Sequence, residues 1–272
     1  MKLLSSLFAA SLLGITSSFA HHGQDFILLE DYHIPSVGSG HLMTNFEWEN
    51  GSDGDEFGFS PSLMFGVLSQ VALSVETDFR NEVATDWEYA SVTPAIHIQL
   101  SPPDSKSPFR FGISAGYQFG NLSSEPAAEE AEEAEHEHAE EGEHGHEAEH
   151  HDEAEHSHGG SSVHAHGVDA FVGRFVVEGD FGPTKVVLNL LSLVDDNEAN
   201  WGYAAGVRHK VADKAAVGLE AMGDFESDGW HEIVAGTYLE PIPSLTLKVG
   251  VGFGLTEATP DFTLRTGLIY RF

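Results

Sequence analysis

The chain has 272 residues, no cysteine and a formal net charge of −32. Without cysteine it can form no disulfide, bind no metal through thiolates and carry no lipid on a cysteine. The strong negative charge argues against nucleic acid as a partner.

Residues 1–20 have the pattern of a secretory signal peptide. The stretch MKLLSSLFAASLLGITSSFA has Lys2, an apolar run from Leu3 to Ile15 and a small residue at Ala20. Such a pattern predicts cleavage after Ala20. The apolar run is too short for a membrane-spanning helix, so we expect an exported protein.

Residues 21–40 precede the first strand-like segment and contain an apolar patch followed by Pro35 and Gly38. We interpret them as a periplasmic segment that caps or plugs one mouth of the fold predicted below. An additional edge strand and a loose tail are the alternatives. Cleavage after Ala20 would leave a free amine beside His21 and His22, a group that can chelate copper or nickel.

From residue 41 onward apolar and polar residues alternate with a period of two. In FRFGISAGYQF, Phe109 and Phe111 lie on one face, opposite Arg110 and Gly112. Twelve segments share this pattern, each close to the length of a tilted membrane strand: 41–50, 57–68, 71–81, 87–100, 109–120, 166–181, 184–195, 201–212, 215–226, 230–241, 245–256 and 261–272. They predict an all-β fold, a transmembrane antiparallel up-and-down β-barrel over 41–272, closed because lipid cannot satisfy an open edge. A soluble β-sandwich is the alternative, although its strands are usually shorter and less regular.

Two kinds of connection alternate between these segments. One kind is short, as at Ser69-Gln70 and 182–184, whereas the other is mostly acidic and includes a long insertion at 121–166. Outer-membrane barrels have short periplasmic turns and longer extracellular loops. We therefore expect both chain ends in the periplasm and the insertion outside the cell.

The chain ends in LRTGLIYRF, with Tyr270 two places before the terminal Phe272. This ending resembles the C-terminal strand signature of bacterial outer-membrane β-barrel proteins, and the layout is similar to small barrels of the porin and transporter type. The resemblance implies a location in the outer membrane of a Gram-negative bacterium, in contact with lipid and lipopolysaccharide. It also implies recognition by the barrel assembly machinery.

Charged residues of both signs fall on the polar, inward face of the predicted strands. In a barrel of this size they can pair across the lumen and plug it, or line a path for small solutes. The sequence leaves both readings open. The residues are Glu47, Glu49, Glu76, Asp78, Arg80, Arg110, Arg174, Glu178, Lys185, Arg208, Lys210, Glu220, Asp224, Lys248, Arg265 and Arg271.

The insertion is rich in histidine and glutamate and has no lysine or arginine between residues 125 and 166. It cannot bury apolar surface, so we predict a disordered extracellular loop. Imidazole and carboxylate groups are ligands for zinc, copper and nickel. Without a fixed tetrahedral spacing, we expect several weak, exchangeable metal sites and no required cofactor. The histidines are His136, His138, His144, His146, His150, His151, His156, His158, His164 and His166.

These observations favour an outer-membrane channel or receptor that concentrates divalent transition metal on the loop, for passage through a narrow barrel. The alternative is a small-solute porin, or a structural surface barrel, whose acidic loop is incidental.

We predict no enzymatic activity. The stretch GISAG, 112–116, matches the G-x-S-x-G pattern of hydrolases, but that motif needs a turn between a strand and a helix, and here it lies inside a strand. Outer-membrane phospholipases with twelve strands exist, and His97 or His231 could pair with a serine. Nothing in the spacing singles out such a pair.

Overall fold

The computed structural model describes residues 26–51, 54–81, 87–102, 105–120, 169–195, 199–226 and 229–272. These residues form twelve β-strands. Among them no helix is long and apolar enough to cross a bilayer. The strands are β1 (Gly40–Gly51), β2 (Gly54–Leu68), β3 (Val71–Asn81), β4 (Glu88–Gln99), β5 (Phe109–Gly120), β6 (Ala170–Phe181), β7 (Thr184–Val194), β8 (Ala199–Ala212), β9 (Ala215–Asp224), β10 (His231–Ile242), β11 (Leu245–Gly254) and β12 (Phe262–Arg271).

Each strand pairs antiparallel with its neighbours in sequence, and β1 pairs with β12 to close the barrel. The predicted twelve-strand transmembrane β-barrel is therefore confirmed. Closure matters because every strand then has a partner on both sides, as hydrocarbon surroundings require. The first predicted loop, 51–56, is shorter than expected: Gly51 pairs with Gly54, which has a φ of 128° that favours glycine.

The outer face carries the apolar side chains, as the alternation predicts. Aromatic residues gather on it near both ends of the strands, as in the interfacial girdles of membrane barrels. At one end Phe109 packs on Phe181, with ring centroids 5.8 Å apart. At the other end Tyr117 packs on Phe119 and Phe171, at 4.7 and 4.8 Å.

The two ends of the barrel differ in their connections. The turn end has connections such as 69–70 and 182–183, and the chain enters β1 there. The loop end has the connection from Gly120 to Ala170. The rule for outer-membrane barrels predicts that the turn end faces the periplasm and the loop end faces the outside, and this orientation stays a prediction.

Residues 26–39 are named the luminal segment; residues 26–35 lie inside the barrel, and residues 36–38 are exposed. Phe26, Leu29 and Tyr32 are buried and belong to one apolar cluster with wall residues of β6, β7 and β8. A Cβ on Gly206 would stand 2.9 Å from the Leu29 side chain and 3.1 Å from Phe26, so glycine at this wall position makes room for both side chains. The segment adds no strand at an edge, because both neighbours of β1 are other strands of the barrel.

Candidate functional site: the lumen of the barrel

One side of the lumen, formed by β8 to β12 with β1, is occupied by long charged side chains. We name it the filled half. Arg265 forms ion pairs with Glu47, with Glu49 at 3.2 Å and with Glu232 at 2.9 Å. The Glu232 carboxylate also accepts a hydrogen bond from the hydroxyl of Thr263. Charges that pair across strands in this way close the space between them.

Nearer the turn end, a second group of side chains fills the same half. The Tyr238 hydroxyl donates to the carboxylate of Glu220, and both residues are fully buried. The Arg208 guanidinium lies over the Tyr238 ring at 4.9 Å and pairs with Glu240 at 3.0 Å. Cation–π and ion-pair contacts together fix these side chains across the lumen.

The opposite side, formed by β2 to β7, contains a cavity of about 320 Å³ and is named the open half. The cavity extends from the luminal segment toward the loop end, where Asp78 and Gln118 line it. The space remains because many of the lining side chains are short, and most of the polar lining residues carry a hydroxyl group. The hydroxyl residues are Ser60, Ser62, Ser74, Ser91, Thr93, Ser114 and Ser192.

Glu30 of the luminal segment forms the floor of the cavity. Its carboxylate lies 2.7 Å from Nδ1 of His97 and accepts hydrogen bonds from Ser114 at 3.0 Å and Arg174 at 3.2 Å. Glu30 is on the luminal segment and not on a membrane-spanning strand. Burial opposes its ionisation, but His97, Arg174 and Ser114 outweigh burial and lower its pKa to about 2. The floor is therefore an ionised, fully bonded carboxylate.

Ser74, His97 and Glu30 form a continuous hydrogen-bonded chain. The Ser74 hydroxyl lies 2.8 Å from Nε2 of His97, whose Nδ1 faces Glu30. This is the order of a serine–histidine–acid triad. However, Ser74 pairs with Met64 and Ala95 in the sheet, so the backbone N–H groups around it are engaged in strand pairing and cannot form an oxyanion hole.

We therefore infer that the hydrogen-bonded series Ser74–His97–Glu30 anchors the luminal segment. The sequence did not single out the His97–Ser74 pair, because their contact depends on strand register. Ser114 of the GISAG stretch faces the lumen, as predicted. His231, the other histidine considered, lies 3.2 Å from the Tyr203 hydroxyl. The absence of enzymatic activity stays a prediction.

Asp31, His33 and Glu178 bring potential metal ligands within 4.8 Å of one another, all buried. Their surroundings argue against a metal. Arg110 lies 2.9 Å from Nε2 of His33 and Lys185 lies 3.4 Å from its Nδ1, so two cationic donors already face this imidazole. Lys185 also pairs with Glu178 at 3.4 Å. The group is an ion-pair cluster that holds the luminal segment.

The charges predicted to face the lumen do so, and most form ion pairs there, such as Arg80 with Asp78 at 2.9 Å. Lys210 is exposed at the turn end. The twelve predicted metal ligands, His21, His22 and the ten histidines of the insertion, lie outside the described residues, so metal binding stays a prediction.

No protein-family model matches the chain, and no curated protein matches it in sequence. Solved structures match its fold. The KdgM porin has a TM-score of 0.52 at 9% identity, over 85% of this chain and 99% of the porin. The NanC porin has a TM-score of 0.50 at 8% identity, over 84% of this chain and 98% of the porin. An outer membrane channel from Pseudomonas putida F1 has a TM-score of 0.52 at 10% identity, over 89% of this chain and 98% of the channel.

The fold is that of small outer-membrane porins. At these identities the comparison concerns the fold alone and identifies no solute for this barrel.

Proposed function

We propose that this porin-like barrel is an outer-membrane channel for small polar solutes and that the open half of the lumen is the solute path. The observation that carries the proposal is the cavity of about 320 Å³, which is lined by hydroxyls from neighbouring strands and reaches the loop end. Hydroxyl groups both donate and accept, so they can replace the hydration shell of a polar solute. This size falls at the lower limit of small-molecule sites.

The charges around the cavity favour uncharged or cationic solutes. Three carboxylates line it, those of Glu30, Glu76 and Asp78, against the single guanidinium of Arg174 and the imidazole of His97. Rings of carboxylates are typical of cation-conducting pores. One structure of the KdgM porin is a complex with disordered oligogalacturonate, a carboxylate-bearing sugar. For the present chain we propose that such anions are excluded.

The luminal segment determines whether the path is continuous. It lies between the cavity and a second space of about 170 Å³ at the turn end, which Lys185 and Arg208 line. With the segment in place, the floor formed by Glu30 separates the two spaces. We therefore propose that the resting channel has low conductance and opens when the segment moves.

Conductance in a planar bilayer tests this function. We expect small, cation-selective currents from the full chain and larger ones from a variant whose luminal segment is released, such as L29D/E30K. A KCl gradient gives the sign of the selectivity. Anion selectivity of the unmodified chain would contradict the proposed solute class. The absence of current in both proteins would contradict channel function.

The insertion supports a second proposal for the same barrel, the capture of zinc, copper or nickel outside the cell. Its support is the ten histidines of 125–166 and the attachment of that connection at the loop end, between Gly120 and Ala170. We also propose that β12 and the terminal Phe272, which with Tyr270 is exposed on the outer face, are read by the barrel assembly machinery.

A further inference from the structure

We propose that the lumen wall contains a binding site for a short peptide, and that residues 26–33 are its tethered ligand. The site would accept the same peptide chemistry supplied as a separate molecule. Only one consequence of this inference, that the bound segment closes the pore, rests on the proposed channel function. The peptide site itself rests on contacts between the wall and the backbone of the luminal segment.

At the start of the segment, side chains of β9 and β11 bind backbone groups. The Glu220 carboxylate accepts hydrogen bonds from the N–H groups of Ile27 at 2.9 Å and Leu28 at 2.7 Å. Lys248 donates to the carbonyl of Phe26 at 2.6 Å. A carboxylate and an ammonium group thus bind backbone groups of three consecutive residues, where the chain bends.

Further along, side chains of β7 and β4 continue the same recognition. Asn189 accepts from the N–H of Glu30 at 3.1 Å and donates to its carbonyl at 3.0 Å. Gln99 donates to the carbonyl of Tyr32 at 3.1 Å. The paired bonds of Asn189 are those a neighbouring β-strand would offer, which is how peptide-binding domains read main chain.

The side chains of the segment add sequence preference to this backbone recognition. Phe26, Leu29 and Tyr32 fill the apolar cluster of the wall, which contains Val176 and Val187. Ile27 reaches over Gly236 and Gly250, where a Cβ would stand 2.5 Å from its Cδ1 atom. Together with the ionised carboxylate of Glu30 on His97 and Arg174, these contacts specify an apolar stretch followed by an acidic residue.

The barrel does not need the segment to complete its sheet. All twelve strands have two strand partners, and the segment adds one isolated bridge, between Val37 and Gly66. The segment can therefore leave without breaking the ladder of backbone hydrogen bonds that closes the barrel. The wall would then present its polar side chains to water or to another peptide.

The test uses the full-length variant L29D/E30K. The first substitution places a carboxylate in the apolar cluster and the second places an ammonium group against Arg174, so both changes eject the segment and leave the wall intact. A fluorescein-labelled peptide with the sequence of residues 26–38, FILLEDYHIPSVG, is added in detergent and its anisotropy is measured. We expect the variant to bind at least tenfold more tightly than the wild type, whose site is occupied. Gel mobility with and without boiling verifies that the barrel is folded, and E30K alone is the second variant if the double change prevents folding.

A matched peptide distinguishes backbone recognition from hydrophobic adsorption. Methylation of the backbone nitrogens of Ile27, Leu28 and Glu30 removes three donors and keeps every side chain. We expect this peptide to bind about tenfold more weakly or worse, and a scrambled peptide likewise. Addition of N189A to the released variant should also weaken binding of the unmodified peptide. Equal binding of the methylated and unmodified peptides, or no binding to a folded released variant, would overturn the proposal.

Conductance of the same variant separates this inference from the proposed function. A current that persists without peptide binding or block would count against the peptide site alone. Peptide binding to a folded variant that carries no current would count against the channel and leave the peptide site standing.

Discussion

The filled and open halves of the lumen are built on the same antiparallel ladder and differ in how much space their side chains leave. In the filled half, Arg265 draws Glu47, Glu49 and Glu232 together across the lumen. In the open half, serine, threonine and glycine at equivalent inward positions leave a cavity. Strand number sets the diameter of a barrel, but the length and pairing of the inward side chains decide whether space remains inside it.

The largest effect should follow from breaking the central ion-pair group of the filled half. R265M removes the cation and leaves three carboxylates facing one another in a buried site. Removing one partner of a buried pair typically destabilises by about 3–5 kcal/mol. We expect a loss of this size in the free energy of unfolding, measured by urea titration of the protein in lipid vesicles. K210M, at an exposed lysine of the turn end, is the control and should change little. A loss as small as that of the control would show that the Arg265 group does not stabilise the filled half.

Filling the open half should close it without destabilising the barrel as strongly. T93W places an indole in the cavity, since Thr93 lines it. In the background of the released segment we expect a severalfold fall in single-channel conductance. T237W makes the same change at an exposed position on the outer face and should leave the conductance unchanged. Equal conductance in both variants would mean that ions bypass the cavity.

The selectivity of the open half should respond to its charge by a smaller amount. E76Q removes one of the three carboxylates that line the cavity. Because a narrow pore senses the charge on its wall, we expect the reversal potential in a KCl gradient to shift toward that of a less cation-selective channel. E257Q changes the same charge at an exposed position between β11 and β12, on the filled side, and serves as the control. A shift of the same size in both variants would indicate a general surface potential.

The fold could be predicted from the sequence because lipid requires an apolar side chain at every second position of each strand. Alternation such as Phe109, Phe111 and Ile113 against Arg110, Gly112 and Ser114 identifies a strand and its outer face without any neighbour. Twelve repeats with alternating short and long connections then leave a closed barrel as the simplest arrangement. The luminal charges of strands such as β12 followed from the same period of two.

The cavity and the position of the luminal segment could not be predicted in the same way. The contact of His97 with Ser74 needs the register of β3 against β4, and the contacts of Glu30 with Asn189 span 159 residues. Such distant pairs are set by closure of the whole barrel. One signal was present in the sequence: the inward positions of β2 to β5 are rich in serine and threonine, whereas those of β8 to β12 include Glu220, Lys248 and Arg265.

The smallest effect on the barrel should come from the insertion. Deletion of 125–166 should abolish most zinc binding in calorimetric titration of the intact protein and leave the conductance unchanged, because β5 ends at Gly120 and β6 begins at Ala170, on either side of the deletion. A variant with all ten histidines replaced by asparagine keeps the carboxylates and the length, so it isolates the contribution of imidazole. We expect it to lose most zinc binding too, and we expect the unmodified chain to bind less zinc below about pH 6, where imidazole with an ordinary pKa of about 6.5 is protonated. Equal zinc uptake by the intact and deleted chains would contradict metal capture by the insertion.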